Sequence, residues 1–327
     1  MRPVQPLARI VLLAALVLVV STCGESPTGG GRLVPSSLSI VAGNTQTDTI
    51  GAHLAAPLGV RVLTATGAGV PDVTVRFTAS GNGAVVPTLA TTDATGVAYA
   101  SWTLRTLAGP DTVIATVAVL PSQQAVFTAT VRPGRLAHLT ITPDTVRFFK
   151  LQDTTALQAH GEDRAHNAVV LGRLTWAIAG STSIIASIDT AGVVRSLGQG
   201  STTASATDLA AGIFADAHVI VSQAPATVII TNPGSDTLNW LGQLRALSPA
   251  AYDSGGYLIF GAPFTWRSLD TNVAQVQVFG GSGLVTAVRS GTARIVGDYQ
   301  GLADTATLTV RQLPASVAIN VSDTLID

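Results

Sequence analysis

The chain has 327 residues and a formal net charge of −1, and only 11% of its residues are charged, against roughly 25% in an ordinary soluble domain. Without a basic patch or stripe there is no electrostatic case for nucleic acid, which is excluded as a partner. Cys23 is the single cysteine, so disulfides within the chain are excluded and each folded unit must rely on the size of its core. The missing charge is mostly lysine and glutamate: Lys150 is the only lysine, and Glu25 and Glu162 are the only glutamates. Those residues are strong helix formers. Val, Thr, Ala, Gly and Asp stand in their place and suit strands and turns, which predicts an all-β protein.

At the N-terminus, Arg2 and Arg9 precede an apolar run of 11 residues from Ile10 to Val20, followed by the small residues Ser21 and Thr22. A charged start, a short apolar core and a small-residue junction predict an export signal over residues 1–22. The run is well short of the roughly 20 residues of a membrane-spanning helix. Val20-Ser21-Thr22-Cys23 resembles the lipobox of bacterial lipoproteins, in which the signal is cut before a cysteine that then carries acyl chains. Thr22 departs from the Gly, Ala or Ser usual at that place, and a plain secretory signal with an incidental cysteine is the alternative. The resemblance implies lipidation at Cys23 and membrane contact through that anchor. With Gly24 rather than Asp after the cysteine, it also implies sorting to the outer membrane or cell surface. Residues 23–35, containing Gly29-Gly30-Gly31, read as a flexible tether.

Beyond the tether the chain repeats itself, and the repeat decides the fold. Leu139-Thr140-Ile141, Val228-Ile229-Ile230 and Val317-Ala318-Ile319 start units 89 residues apart. Each start is followed by Asp, Thr and an aliphatic residue, at Asp144, Asp236 and Asp323. The first region shows the same signals at Leu38-Ser39-Ile40 and Asp48-Thr49-Ile50. Trp176 and Trp266 stand 90 residues apart in Leu174-Thr175-Trp176 and Phe264-Thr265-Trp266. Gly192-Val193-Val194 matches Gly283-Leu284-Val285, and Gly200-Ser201-Thr202 matches Gly291-Thr292-Ala293, each opening a late strand. Val219-Ile220-Val221 and Leu308-Thr309-Val310 close their units.

Within the units the apolar pattern has period two. Val73, Val75 and Phe77 alternate with Thr74, Arg76 and Thr78, and Ala306, Leu308 and Val310 with Thr305, Thr307 and Thr309. Turn residues break such strands about every ten positions, which predicts tandem antiparallel β-sandwiches arranged as beads on a rod. Trp176 and Trp266 are expected on an early central strand, each plugging the space between its two sheets. A Gly-rich insertion over Gln277 to Gly283 is expected to lengthen a loop.

Residues 139–221 and 228–310 resemble bacterial Ig-like domains of group 2, on the Thr-Trp phrase, the Gly-aliphatic-Val turn, the Gly-Ser/Thr step and the closing strand. Both keep an Asp in the loop before the Trp, at Asp163 and Asp253. Residues 36–132 resemble the group 1, invasin and intimin type. That likeness rests on Pro57-Leu58-Gly59-Val60-Arg61-Val62, Gly69-Val70-Pro71-Asp72-Val73-Thr74-Val75-Arg76-Phe77 and Thr92-Asp93-Ala94-Thr95-Gly96. Trp102-Thr103-Leu104, Gly109 with Thr112-Val113, and Val126-Phe127-Thr128-Ala129 complete it. The resemblance implies Ig-like domains over 36–132, 135–222 and 224–312, with 313–327 opening a further repeat. It also implies a cell-surface setting, and it leaves the ligand open.

Chemistry is sparse along the chain. His160, Glu162, Asp163 and His166 form the densest cluster of titratable groups; a divalent metal is one reading, and a solvated sandwich loop is favoured. Asp144, Asp236 and Asp323 raise an interdomain calcium clamp, against which strand-opening turns are favoured. No Gly-x-Ser-x-Gly elbow precedes a helix-like segment. The expectation is no catalytic residue, no metal and no cofactor. Trp240, Tyr252, Tyr257 and Phe260 fall outside the repeated core positions and form the candidate ligand patch, for a glycan or a surface protein of another cell. The functional expectation is a lipid-anchored surface protein serving adhesion or surface interaction. A passive stalk presenting another domain is the alternative, and an exported hydrolase a distant third.

Overall fold

The computed structural model describes residues 32–180, 184–232, 234, 236–314, 316 and 318. The export signal, Cys23, most of the tether and all of the strand expected over 317–325 except Ala318 lie outside the described residues. Twenty-seven strands and no α-helix make up the described chain, and they fall into three successive sandwiches.

The first unit contains β1 (Ser37–Ala42), β2 (Gln46–Thr49), β3 (Leu58–Leu63), β4 (Thr74–Ala79), β5 (Ala84–Val86), β6 (Leu89–Thr91), β7 (Val97–Thr103), β8 (Gly109–Val117) and β9 (Gln124–Arg132). One sheet runs β1-β3-β7-β5 and the other β2-β9-β8-β4-β6. The expected alternation is realised on β4, where Val75 and Phe77 are buried and Thr74, Arg76 and Thr78 are exposed. Trp102, Phe77 and Phe127 fill the space between the sheets.

The second unit contains β10 (His138–Thr142), β11 (Thr145–Phe148), β12 (Thr154–Ala156), β13 (Gln158–Glu162), β14 (Ala168–Val169), β15 (Leu174–Ile178), β16 (Ala186–Ile188), β17 (Val193–Ser196), β18 (Gly200–Asp208) and β19 (Ile213–Val221). The third contains β20 (Pro225–Thr231), β21 (Thr237–Leu238), β22 (Leu244–Asp253), β23 (Thr265–Ser268), β24 (Ala274–Phe279), β25 (Ser282–Ala287), β26 (Gly291–Tyr299) and β27 (Leu302–Val310). One four-stranded sheet in each runs β11-β19-β18-β15 and β21-β27-β26-β23. In every unit the first strand divides, and its second half pairs parallel with the last strand: β2 with β9, β11 with β19, β21 with β27. That crossover from one sheet to the other is an Ig-like hallmark. The facing sheet of the third unit runs β20-β22-β25-β24. In the second unit the strand matching β22 is interrupted at buried Leu157, giving β12 and β13.

Several sequence matches fall into register. Gly109, Gly200 and Gly291 open β8, β18 and β26 with φ of 119°, 138° and 150°, a left-handed backbone that favours glycine, and lie opposite Val131, Val221 and Val310.

Three expectations need correction. The Asp-Thr pairs do not occupy one position. Asp144 precedes the pairing of Thr145 with His218, whereas Asp236 precedes that of Thr237 with Thr309, two residues further along the last strand. In the first unit Asp48 lies inside β2, opposite Val131. The Asp-Thr dipeptide suits several points of the crossover, so its recurrence marks the segment and not the register.

Trp176 and Trp266 sit on β15 and β23, which are edge strands and not central ones, and both are half-buried. Each closes the open side between the sheets by lying over a glycine. A Cβ on Gly192 would stand 2.9 Å from the Trp176 ring, and one on Gly283 would stand 2.6 Å from the Trp266 ring. The fully buried tryptophan is Trp102, on β7.

The glycine-rich segment of the third unit lengthens strands and not a loop. β24 and β25 pair from Ala274–Ala287 to Phe279–Ser282 around the two-residue turn Gly280-Gly281, whose φ values of 55° and 86° belong to the tight hairpin turn that matches strand twist.

Candidate functional site

The most elaborate polar construction lies at the two joints between units, and both joints are built on the aspartates that precede the repeated tryptophans. Asp163 begins the hairpin loop between β13 and β14. Its Oδ1 accepts from Ala165 N at 2.8 Å and Asn167 N at 3.0 Å, closing the loop on itself. Its Oδ2 accepts from Gly134 N, in the linker from the first unit, at 2.7 Å. Asn167 Nδ2 donates to both carboxylate oxygens and to Thr106 O of the first unit, and Asn167 Oδ1 accepts from Ala108 N.

Asp253 repeats the arrangement in the third unit. Oδ1 accepts from Gly255 N and Tyr257 N. Oδ2 accepts from Leu151 N of the second unit and Gln223 Nε2 of the linker, each at 2.9 Å. Both aspartates are buried, at 1% and 2% exposure. In the first unit Thr64 opens the corresponding loop, with its hydroxyl accepting from Ala68 N. Thr64 has a hydroxyl where the other two units have a carboxylate, and among the described residues no unit precedes it.

Burial by itself would push each carboxyl group up, because the charged form loses water. At Asp163 that push is outweighed by the hydrogen bonds from Gly134 N, Asn167 and Ala165 N, which hold it down to about 2. At Asp253 burial is outweighed by the Gln223 amide and the Tyr257, Leu151 and Gly255 N–H groups, and the carboxyl again lies below its ordinary range. Each joint is thus tied by a buried anion with every donor aimed at it, the strong form of protein hydrogen bond.

The densest titratable cluster of the sequence divides. Asp163 turns into the joint, while His166 Nδ1 meets Glu162 Oε2 at 2.8 Å and its ring stacks on His138 at 5.7 Å. His166 holds the left-handed place of its loop with φ 62°, as Gly67 and Gly256 do in theirs. His160 stands exposed on β13, opposite Thr140. A cleft of about 700 Å³ beside this joint is lined by Ile50, residues 134–138, Asp163, Arg164 and Ile213.

The expected aromatic patch is spread over both ends of the third unit. Tyr252 is the penultimate residue of β22 and Tyr257 follows in the loop at the joint, with Phe260 81% exposed just beyond. Trp240 lies before β22, at the opposite end of that ten-residue strand, about 30 Å away by strand rise. Phe260 borders a groove of about 420 Å³ between residues 258–264 and the Gly280-Gly281 turn. Beneath it Phe264 packs on Trp266 and Tyr299, with ring centroids 6.4 and 5.6 Å away. Phe279, 71% exposed, flanks the same turn. The joint residues Asn167 and Gln223 escaped sequence reasoning. One signal was present: Gln223 and Gln312 are 89 residues apart.

No protein-family model matches the chain, and a search of curated proteins finds no match either. Among solved structures the chain is similar to the Escherichia coli adhesin FdeC, with a TM-score of 0.52 and 15% identity over 86% of this chain and 98% of that one. Invasin, a bacterial integrin-binding protein, aligns with a TM-score of 0.39 and 16% identity over 84% of this chain and 60% of its own. The C-terminal 282-residue fragment of intimin, solved with the intimin-binding domain of its translocated receptor, aligns with a TM-score of 0.27 and 21% identity over 62% of this chain and 69% of its own. The likeness to FdeC agrees with the strand order on one conclusion: the chain is all-β, a series of tandem Ig-like sandwiches.

Proposed function

We propose that the chain is a surface-exposed rod of Ig-like domains that serves adhesion or surface interaction, lipid-anchored through Cys23 at the outer membrane or cell surface. One observation carries this reading: both joints are tied by a buried aspartate that accepts hydrogen bonds from the unit or linker before it. Stiff joints hold the last unit at a fixed distance from the anchor, which a rod that reaches for a partner requires. The adhesin fold likeness supports it. The first unit is of the group 1 kind and the other two of group 2. The groove beside Phe260, with Tyr252 and Tyr257 on the same end of the unit, is the contact surface for a glycan or a surface protein of another cell; Trp240 stands apart from it. The same stiff joints also favour a passive stalk that presents another domain.

Binding decides between the two. Residues 32–312 displayed on glycan and surface-protein arrays should give a specific signal that Phe260→Ala and Tyr257→Ala remove and Trp240→Ala leaves in place. An inert chain across both arrays favours the stalk. Anchoring has its own test: radiolabelled fatty acid should enter the wild-type protein, and Cys23→Ser should abolish the label.

A further inference from the structure

The joint between the second and third units has a counterpart at the outer end of the third unit. In the second unit the turn after β11 places Leu151 N, and the segment after β19 places Gln223, so that both donate to Asp253 Oδ2. The turn after β21 has the same build. Arg311 N and Leu313 N bond to Leu238 O and Asn239 O, as Ser222 N and Ala224 N do to Phe148 O and Phe149 O. Gly242 N bonds to Ala287 O as Gln152 N does to Ser196 O, and Gly242 and Gln152 both have positive φ. This correspondence sets Leu241 in the place of Leu151 and Gln312 in the place of Gln223.

Their surroundings differ in one respect, the absence of an occupant among the described residues. Gln223 is buried at its joint, whereas Gln312 is exposed. Leu241 N and the Gln312 amide have no acceptor among the described residues. Trp240, Leu241 and Leu313 around them are 58%, 42% and 59% exposed, a cluster of large apolar side chains on the end of a sandwich. A surface that joins free, convergent N–H donors to exposed apolar groups fits an anion carried on an apolar frame.

We propose that this end of the third unit is a socket for a further Ig-like unit, whose hairpin aspartate takes the Leu241 N–H and the Gln312 amide. The occupant is an Ig-like unit that opens its loop with aspartate, as the second and third units do. A second copy of this chain seated by its first unit does not qualify, because it presents Thr64, which has no carboxylate and whose one hydroxyl is engaged within its own loop by Ala68 N and Thr66 Oγ1.

The test extends the chain. Residues 224–312 are repeated directly after Gln312, which recreates the native Gln-Ala-Pro junction, and amide hydrogen exchange at Leu241 is followed by NMR. The socket requires Leu241 N–H to exchange on the order of a hundredfold more slowly in the extended chain than in the parent. Asp253→Asn in the added copy alone should return it to the parental rate, and Gln312→Ala should weaken the protection. An added copy that is folded but leaves the exchange of Leu241 unchanged overturns the proposal. So does an added copy that fails to fold there, because the same residues fold against the matching end of the second unit.

Discussion

Asp163 and Asp253 show how one side chain can set the relation between two domains. A carboxylate with four or more donors around it has no room for a neutral substitute, because the amide of an asparagine would point hydrogens at hydrogens. Asp253→Asn is therefore expected to cost about 2 kcal/mol at the second joint, read as earlier thermal unfolding of the third unit and faster exchange at Leu151 N. The pH dependence follows from the sign of the shift. The Asp163 carboxyl is held below its ordinary value, to about 2, so its stabilisation is complete above about pH 4 and is lost as pH falls through about 2. The Gly134 amide should keep its protection from exchange at pH 4 and lose it near pH 2, and a joint indifferent to that range would remove the buried anion from the account. Both aspartates were visible in the sequence as a repeated residue before a repeated tryptophan. Their task was not, because the donors they meet come from Gly134, Leu151 and Gln223, remote in sequence or in another unit.

At the scale of strands, the period-two pattern and the 89-residue repeat were enough to read a series of β-sandwiches and the glycines that open β18 and β26; Gly109, which opens β8, was legible only through the family resemblance. Register was harder to read. An Asp-Thr pair suits a crossover strand wherever the chain switches sheets, and so it recurs without marking a fixed position. The insertion around Gly280-Gly281 reads as a loop from composition, yet two glycines at a tight turn extend the pairing on both sides of it. The tryptophans explain a further repeated feature, the glycine that faces each of them. Gly283→Ala would bring a Cβ to 2.6 Å from the Trp266 ring, an overpacking expected to cost about 2 kcal/mol. Thermal unfolding should show that loss in the wild-type background and a smaller one beside Trp266→Leu, where the ring is gone. Equal losses in both backgrounds would mean that the pair is not coupled.

For the whole molecule, three sandwiches in series with charged, buried ties make a rod whose reach is on the order of 100 Å, from strands of about seven residues plus loops. Under the proposed function such a rod carries a contact surface away from its anchor, and the groove beside Phe260 lies on the last of the three units. The outer end of that unit repeats the donor arrangement of a joint, so the construction can be continued by the same chemistry. The three units are expected to move as one body because Asp163 and Asp253 tie them. NMR relaxation of the full chain at neutral pH reads this motion. The amides of all three units should share one rotational correlation time, which separates into shorter, independent values when Asp163→Asn and Asp253→Asn are combined. Independent tumbling of the units in the unaltered chain would contradict it.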